Sequence, residues 1–231
     1  MNTSAKDSFK GIRAAIVDLD GTMVDTAPDF QVAINRMRDE LNLAPLALDT
    51  IVDFVGKGSE NLMRRVLGVD FEKSEVESRF DHALERYQHH YLQINGDHSE
   101  LYVGVHEGLS TMKQSGVRLA CVTNKPIAFA RPLLEKKGLI DFFEVIYGGD
   151  SLAHKKPHPL PMLTVCKDFD LQPDQVVAIG DSCNDSEAAR AAGCRVLTVP
   201  YGYNHGQPVQ SIDTDGIVES LLDAANLIVH K

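Results

Sequence analysis

Positive charge is scarce in this chain. Its 231 residues hold 23 Lys and Arg against 33 Asp and Glu, a formal net charge of −10. That balance argues against non-specific binding to nucleic acid, whose phosphates are gathered by Lys and Arg. Long apolar runs are missing too, and no stretch is long enough to span a bilayer. The opening Met-Asn-Thr-Ser-Ala-Lys-Asp is polar and lacks the apolar centre of a secretory signal. Cysteine is sparse: Cys121, Cys166, Cys183 and Cys194 show no CxxC or metal spacing, and are expected to be reduced thiols of a cytoplasmic protein. Repeats and low-complexity segments are absent. What remains is a hydrophobic content of 43%, enough for a packed core, in a length suited to one large domain or a core with a smaller insertion.

Against this background Asp18-Leu-Asp20-Gly-Thr22 stands out. It follows residues 12–17, a short apolar run with β-branched side chains that reads as a buried strand. Two carboxylates two residues apart at a strand's end are costly to hold unless something positive lies between them. A hard divalent cation such as Mg²⁺ is the natural neutraliser, because it prefers carboxylate and carbonyl oxygens. On its own the segment favours an Asx-type turn.

Three further groups, each after a predicted strand, shift the balance. Thr123 ends the run 117–122 and is followed by Asn124 and Lys125, so a hydroxyl and backbone N–H groups meet at a strand end, suited to a phosphate oxygen. Lys156 lies in His154-Lys-Lys-Pro-His-Pro159, where two prolines stiffen the segment and can aim the side chain. Gly180-Asp-Ser-Cys-Asn-Asp185 follows the strand 176–179 and offers two more carboxylates, although Asp185 also suits an N-capping turn for a helix over 186–192. Cys183 falls inside this loop and is a candidate for oxidation. Cys121 and Cys194 read as core residues of strands.

From Gly104 onward helix and strand alternate. Helices are expected over 105–115, 127–137, 160–169, 186–192 and 216–227, and strands over 117–122, 142–147, 176–179 and 195–199. On the closing helix Ile217, Leu221, Leu222 and Ala225 share a side. Such alternation predicts an α/β fold, a doubly wound parallel sheet covered on both faces, with ligands at the carboxyl ends of the strands. All four motifs lie at such ends. Residues 28–95 break the alternation and are helical in pattern. Phe30, Ile34, Met37 and Leu41 form one stripe, Leu62 and Val66 another, and Val76, Phe80, Ala83, Leu84, Tyr87 and Tyr91 a third. These stripes read as packing surfaces of a helical bundle. The division expected is a core of 1–26 and 97–231 with a helical cap of 27–96, hinged at 25–28 and 95–99. Within the cap, Val55-Gly-Lys-Gly58 before a helix over 60–67 is an anion-facing loop that carries Lys57. Arg64 and Arg65 are weaker candidates, and His89-His90 reads as surface.

The set Asp18/Asp20, Thr123, Lys156 and Asp181/Asp185 resembles the four motifs of the haloacid dehalogenase-like hydrolase superfamily over nearly the whole chain. Asp18-Leu-Asp-Gly-Thr-Met-Val-Asp-Thr26, Val55-Gly-Lys-Gly58, Lys156-Pro-His-Pro159, Gly180-Asp-Ser-Cys-Asn-Asp185 and Tyr201-Gly-Tyr-Asn204 are most similar to its phosphoglycolate phosphatase group. The resemblance implies a Rossmann-like core with an inserted cap and a Mg²⁺-dependent phosphomonoester hydrolase working through an aspartyl-phosphate. It makes Asp18 the nucleophile and Asp20 the acid/base. Thr123, Asn124 and Lys156 would hold substrate, Lys57 would read it from the cap, and Asp18, the Asp20 carbonyl, Asp181 and Asp185 would hold the metal. The partner implied is a small phosphorylated carboxylate, 2-phosphoglycolate foremost, with neither nucleic acid nor membrane, in a monomer or homodimer. Three alternatives share parts of the pattern. A sugar-phosphate mutase has the same Asp pair. A receiver-like phospho-acceptor module has acids, a hydroxyl and a Lys around Mg²⁺, but no use for Asp20 or for so large an insertion. A dehalogenase needs neither Asp20 nor Mg²⁺.

Overall fold

The structure is a computed structural model that describes residues 9–229; the polar N-terminal segment read above lies outside them. Six parallel strands form the central sheet: β1 (Ala14–Val17), β4 (Arg118–Val122), β5 (Val145–Tyr147), β6 (Val176–Gly180), β7 (Arg195–Thr198) and β8 (Gly216–Ile217). Their order is β5-β4-β1-β6-β7-β8. The first strand is therefore central. The chain leaves it for β4 on one side and returns to β6 on the other, so a switch point opens above the carboxyl end of β1. Register aligns the three ends, because Val17 pairs with both Cys121 and Ile179.

Strand alternation sends side chains to two cores. Ala15, Val17, Leu119, Cys121, Val177 and Ile179 join a cluster with three helices, Val105–Gln114, Ile127–Lys136 and Leu221–Ile228. Ala14, Ile16, Ala120, Val122, Val176 and Ala178 face the helices Leu160–Asp168 and Cys183–Ala192 on the other side. Every sheet position in these runs is apolar because both faces are covered. In chain order α1–α4 are Ala27–Glu40, Leu48–Val52, Ser59–Leu67 and Lys73–Ile94; α5–α9 are the five core helices just described, taken in sequence. No helix among the described residues is long and apolar enough to cross a membrane.

Helices α1–α4 carry a third cluster. The stripes Phe30, Ile34, Met37 and Val76, Phe80, Ala83, Tyr87, Tyr91 meet Leu62, Met63 and Val66, and Phe129 and Tyr203 of the flanking segments join them. Arg38, 1% exposed, braces this unit from inside. It donates to the Ala44 and Val66 carbonyls and to Asp70 Oδ2 at 2.8 Å. The unit enters and leaves through a short antiparallel pair, β2 (Val24–Asp25) with β3 (Glu100–Leu101). These two-residue strands are too short to announce themselves by alternation. The fully buried Asp29 ties entry to exit, accepting from the Gly96 and His98 N–H groups and the Ser99 hydroxyl.

Four local expectations need correction. The helix expected over 216–227 begins only at Leu221, because Gly216 and Ile217 pair with Leu197 and Thr198 as the sixth strand. Ser220 caps the helix by accepting from the Asp223 N–H, and Leu222 is only half-buried. The strand expected over 142–147 starts at Val145, its first part being a 3-10 turn, Ile140–Phe142. The helix expected from 186 starts at Cys183, which puts that thiol on its first turn. His90 is not free surface, since its Nε2 contacts Glu40 Oε1 at 2.9 Å.

Candidate active site

Asp18, Thr123 and Asp181 each stand one residue beyond the strands β1, β4 and β6, so the sheet's own register gathers them. Lys156 reaches in from the segment before α7. Its buried Nζ donates to the Val122 carbonyl at 2.7 Å and to Asp185 Oδ1 at 2.6 Å, and lies 2.9 Å from Asp18 Oδ1. The last contact is an ion pair rather than an aligned hydrogen bond, and Asp18 Oδ1 is otherwise buried without a donor. Asp185 sits in the first turn of α8, where its Oδ2 accepts from the Ser182 N–H and hydroxyl. It thus serves the helix start and the site together.

Oxygens of Asp18, Asp181 and Asp185 lie within 4.8 Å of one another. Their electrostatics show the strain of this crowding. Burial pushes the Asp18 carboxyl well above the usual range; Lys156 opposes this, and Asp185 and Asp181 reinforce it. Burial, then Asp185, pushes Asp181 up to about 7, against the Tyr203 N–H and the Thr22 hydroxyl. Burial disfavours the Lys156 ammonium, yet Asp18 and Asp185 hold its pKa above the ordinary lysine value. One lysine does not balance three crowded carboxylates, two of them buried. An oxygen-ligated divalent cation fits the donor set and the orphaned Asp18 oxygen.

Asp181 is fixed tightly. It accepts from Thr22 Oγ1 at 2.7 Å and from the Tyr203 N–H at 2.5 Å. Two glycines make room for it. A Cβ on Gly21 (φ 84°) would lie 2.5 Å from Asp181 Oδ2, and one on Gly202 would lie 2.4 Å from the same oxygen. Tyr203 also reaches the entry of the helical unit, where its hydroxyl donates to Asp25 and accepts from the Ala27 N–H.

Asp20 faces away from the triad. Its Oδ1 accepts from Thr26 Oγ1 at 2.8 Å and from Lys125 Nζ at 2.8 Å. Asp18 and Asp20 line a partly open cavity of about 40 Å³, whose other walls include Thr123, Asn124, Lys125, Phe30, Tyr87, Tyr91 and Phe129. Thr123's backbone N–H is bonded to the Tyr147 carbonyl and its Oγ1 accepts from the Lys125 N–H. The hydroxyl proton is what Thr123 has to offer. The Asn124 amide nitrogen is occupied, donating to the Lys156 carbonyl at 2.9 Å and to the Gly56 carbonyl at 3.0 Å, while its Oδ1 is buried without a partner among the described residues. Asn184 donates to Gly56 as well. Two core amides therefore hold the loop of residues 55–58 over the site, and Val55, Gly56 and Gly58 line the cavity.

The side chain of Lys57 is exposed and lines an outer cleft with Glu60, Asn61, Arg64, Lys155, Lys156 and Pro157. Arg64 pairs with Glu77 and Arg65 donates to the Asp53 carbonyl. The cation inside the cavity is Lys125, which sequence reasoning passed over although it adjoins Thr123-Asn124. Phe30, Tyr87 and Tyr91, read as packing residues, are both packing and cavity wall.

This geometry has close counterparts. The sequence profile described as "Haloacid dehalogenase-like hydrolase" matches residues 15–199. A phosphoglycolate phosphatase of Nitrosospira multiformis is 46% identical over 94% of this chain and 96% of its own length. Another, of Thiobacillus denitrificans, is 44% identical with the same coverage. Among solved structures, a predicted phosphoglycolate phosphatase from Haemophilus somnus 129pt superposes with a TM-score of 0.90 at 32% identity, over 94% of this chain and 98% of that one.

Proposed function

The chain belongs to the haloacid dehalogenase-like hydrolases and is a phosphatase, and from that premise we propose that it hydrolyses 2-phosphoglycolate to glycolate and phosphate through an aspartyl-phosphate on Asp18. The observation that carries this reading is the arrangement of Asp18 and Asp20. One is crowded among carboxylates and Lys156, the other turned toward Lys125 in a small cavity.

Phosphate monoesters resist hydrolysis because an anionic nucleophile must approach an anionic phosphoryl group. The Asp18 carboxylate attacks phosphorus and the ester oxygen departs. Lys156, 2.9 Å from Asp18, lessens the repulsion and, with the Thr123 hydroxyl, holds phosphoryl oxygens. Asp20 donates its proton to the departing alkoxide, then takes one from the water that cleaves the acyl phosphate. Thr26 and Lys125 hold the Asp20 carboxyl in place for both transfers. Mg²⁺ held by Asp18, Asp181, Asp185 and the Asp20 carbonyl would supply the positive charge that lets carboxylate and phosphoryl oxygens share one space.

Residues 27–96 act as the lid, hinged where Tyr203 and Asp29 grip its two ends and latched through Gly56. Closure excludes water and strengthens the electrostatics inside. A cavity of about 40 Å³ supports a leaving group of few atoms. The homologues' names support phosphoglycolate, and four unpaired thiols support a reducing, cytoplasmic setting. Phosphate release over a panel of small phosphomonoesters, with and without Mg²⁺, tests the proposal. Phosphoglycolate is expected to lead and to require the metal; neutral sugar phosphates or nucleotides turning over much faster would remove the substrate assignment.

A further inference from the structure

Lys125 is only 5% exposed, and a buried ammonium is costly unless oxygens or an anion face it. Its Nζ lies 4.5 Å from the ring centroid of Phe30 and 4.7 Å from that of Tyr91. The two rings come from opposite ends of the helical insertion, α1 and α4, and their faces hold the cation away from water. Among the described residues its Nζ makes one hydrogen bond, to Asp20, although an ammonium has three protons to give. Tyr91 is fully buried, and its hydroxyl has no partner. Burial keeps it a neutral phenol, a donor. Both side chains line the cavity shared by Asp18 and Asp20. A buried cation and a buried, unpartnered hydroxyl in one small cavity suit a guest with two anionic oxygens.

Resting on the reading of the substrate as a small phosphorylated carboxylate, we propose that Lys125 and the Tyr91 hydroxyl receive the substrate's carboxylate and set the specificity of the enzyme. The ester oxygen must lie at Asp20 to take its proton. In a 2-phosphorylated carboxylate the carboxyl group is one carbon away from that oxygen. Lys125 is bonded to the same Asp20 carboxyl, so an ester oxygen placed for proton transfer brings the carboxylate to Nζ. Lys57 lies outside this cavity wall. The insertion thereby reads the substrate indirectly: its rings position a lysine supplied by the core.

The test is a ratio. The full-length enzyme is assayed with Mg²⁺ on two matched pairs: 2-phosphoglycolate against monoethyl phosphate, and 3-phosphoglycerate against glycerol 3-phosphate. Lys125→Met, which keeps the stem against Phe30 and Tyr91, is expected to lower the carboxylate preference in kcat/KM roughly 10- to 100-fold, the worth of one charge-assisted hydrogen bond. Tyr91→Phe should lower it about threefold to tenfold, and Lys125→Arg should retain part of it. If thermal unfolding shows that Lys125→Met does not fold, Lys125→Gln carries the same comparison. A ratio unchanged within about threefold, with both members of a pair slowed equally, would mean that Lys125 only positions Asp20 and would overturn the proposal. So would a preference lost in Lys57→Met and kept in Lys125→Met. A wild-type enzyme that favours neither carboxylate fails the substrate reading before any variant is made, and the proposal falls with it.

Discussion

The active site has two halves of different construction. The half above the sheet holds Asp18, Asp181, Asp185 and Lys156 and is dense in charge, with the carboxylates fixed by backbone N–H groups, hydroxyls or strand register and Lys156 by the Val122 carbonyl. The half under the helical insertion holds the rings of Phe30 and Tyr91 over one cation, Lys125, with Tyr87, Phe129 and Leu62 as further apolar wall and Asp20 as the cation's partner. The first half is suited to the part every phosphomonoester shares, the phosphoryl group. In the proposed reading, the second meets the part that differs between esters. Chemistry and selectivity are therefore separable, and substitutions in the two halves should produce different kinetic patterns.

The sharpest separation is expected at Asp18. Asp18→Asn removes the nucleophile and should depress kcat by roughly four orders of magnitude or more for every substrate alike. Steady-state phosphate release on a good and a poor leaving group checks this. A loss confined to one substrate would break the comparison.

Asp181 comes next. Asp181→Ala should lower kcat/KM by roughly two to three orders of magnitude at limiting Mg²⁺, less at high Mg²⁺, and chelation of the wild type should abolish turnover reversibly. The raised pKa of Asp181 adds a pH signature. A carboxyl near 7 when folded and near 3.8 when unfolded keeps its proton longer in the native state. Its contribution to metal-free stability is thus present below about 4 and is lost as pH rises toward about 7. A bound cation needs the ionised form, so Mg²⁺ should raise the melting temperature more at pH 7.5 than at pH 5.5. An equal rise at both values, measured by calorimetry, would contradict a cation ligated by Asp181.

Within the second half, Arg38→Met should destabilise the protein by about 2–4 kcal/mol, because it orphans the Ala44 and Val66 carbonyls and Asp70. Urea unfolding followed by circular dichroism reads this. Full stability in the variant would show that the insertion does not depend on its internal brace. The smallest effect is expected at the latch. Asn184→Ala removes one of two donors to the Gly56 carbonyl and should reduce kcat/KM about fivefold for small substrates, the worth of one hydrogen bond. Bulky esters should lose less. A larger loss for bulky esters than for small ones would speak against a lid.

The two halves also differed in how far they could be read from sequence. Asp18, Thr123 and Asp181 were legible because each directly follows an apolar run that reads as a buried strand, and a parallel sheet brings strand ends together; Lys156 was legible from the two prolines that stiffen its segment. The sixth strand was missed because two residues, Gly216 and Ile217, carry no alternation, and their pairing with β7 is a tertiary fact. Tyr87 and Tyr91 fell on a helical stripe whose spacing is the same whether it packs or lines a cavity. Lys125 was passed over for a related reason. Nothing in Thr123-Asn-Lys-Pro126 says that the lysine turns inward, since its shelter is two rings contributed by helices about 35 and 95 residues away in sequence. The glycine-flanked Lys57 reads as an anion receptor from sequence; in the fold its side chain is exposed, and it is the neighbouring Gly56 carbonyl that meets the core amides.

In the proposed mechanism Asp18 carries the phosphoryl group and Asp20 is needed to release it. Asp20→Asn exposed to an aryl phosphate with Mg²⁺, then quenched and mapped by mass spectrometry, tests both at once. An aryl leaving group departs without an acid, so the covalent intermediate should form on Asp18 and persist, and hydroxylamine should cleave it. An unlabelled Asp18 in a folded, substrate-binding variant, or a label on any other residue, would contradict the account.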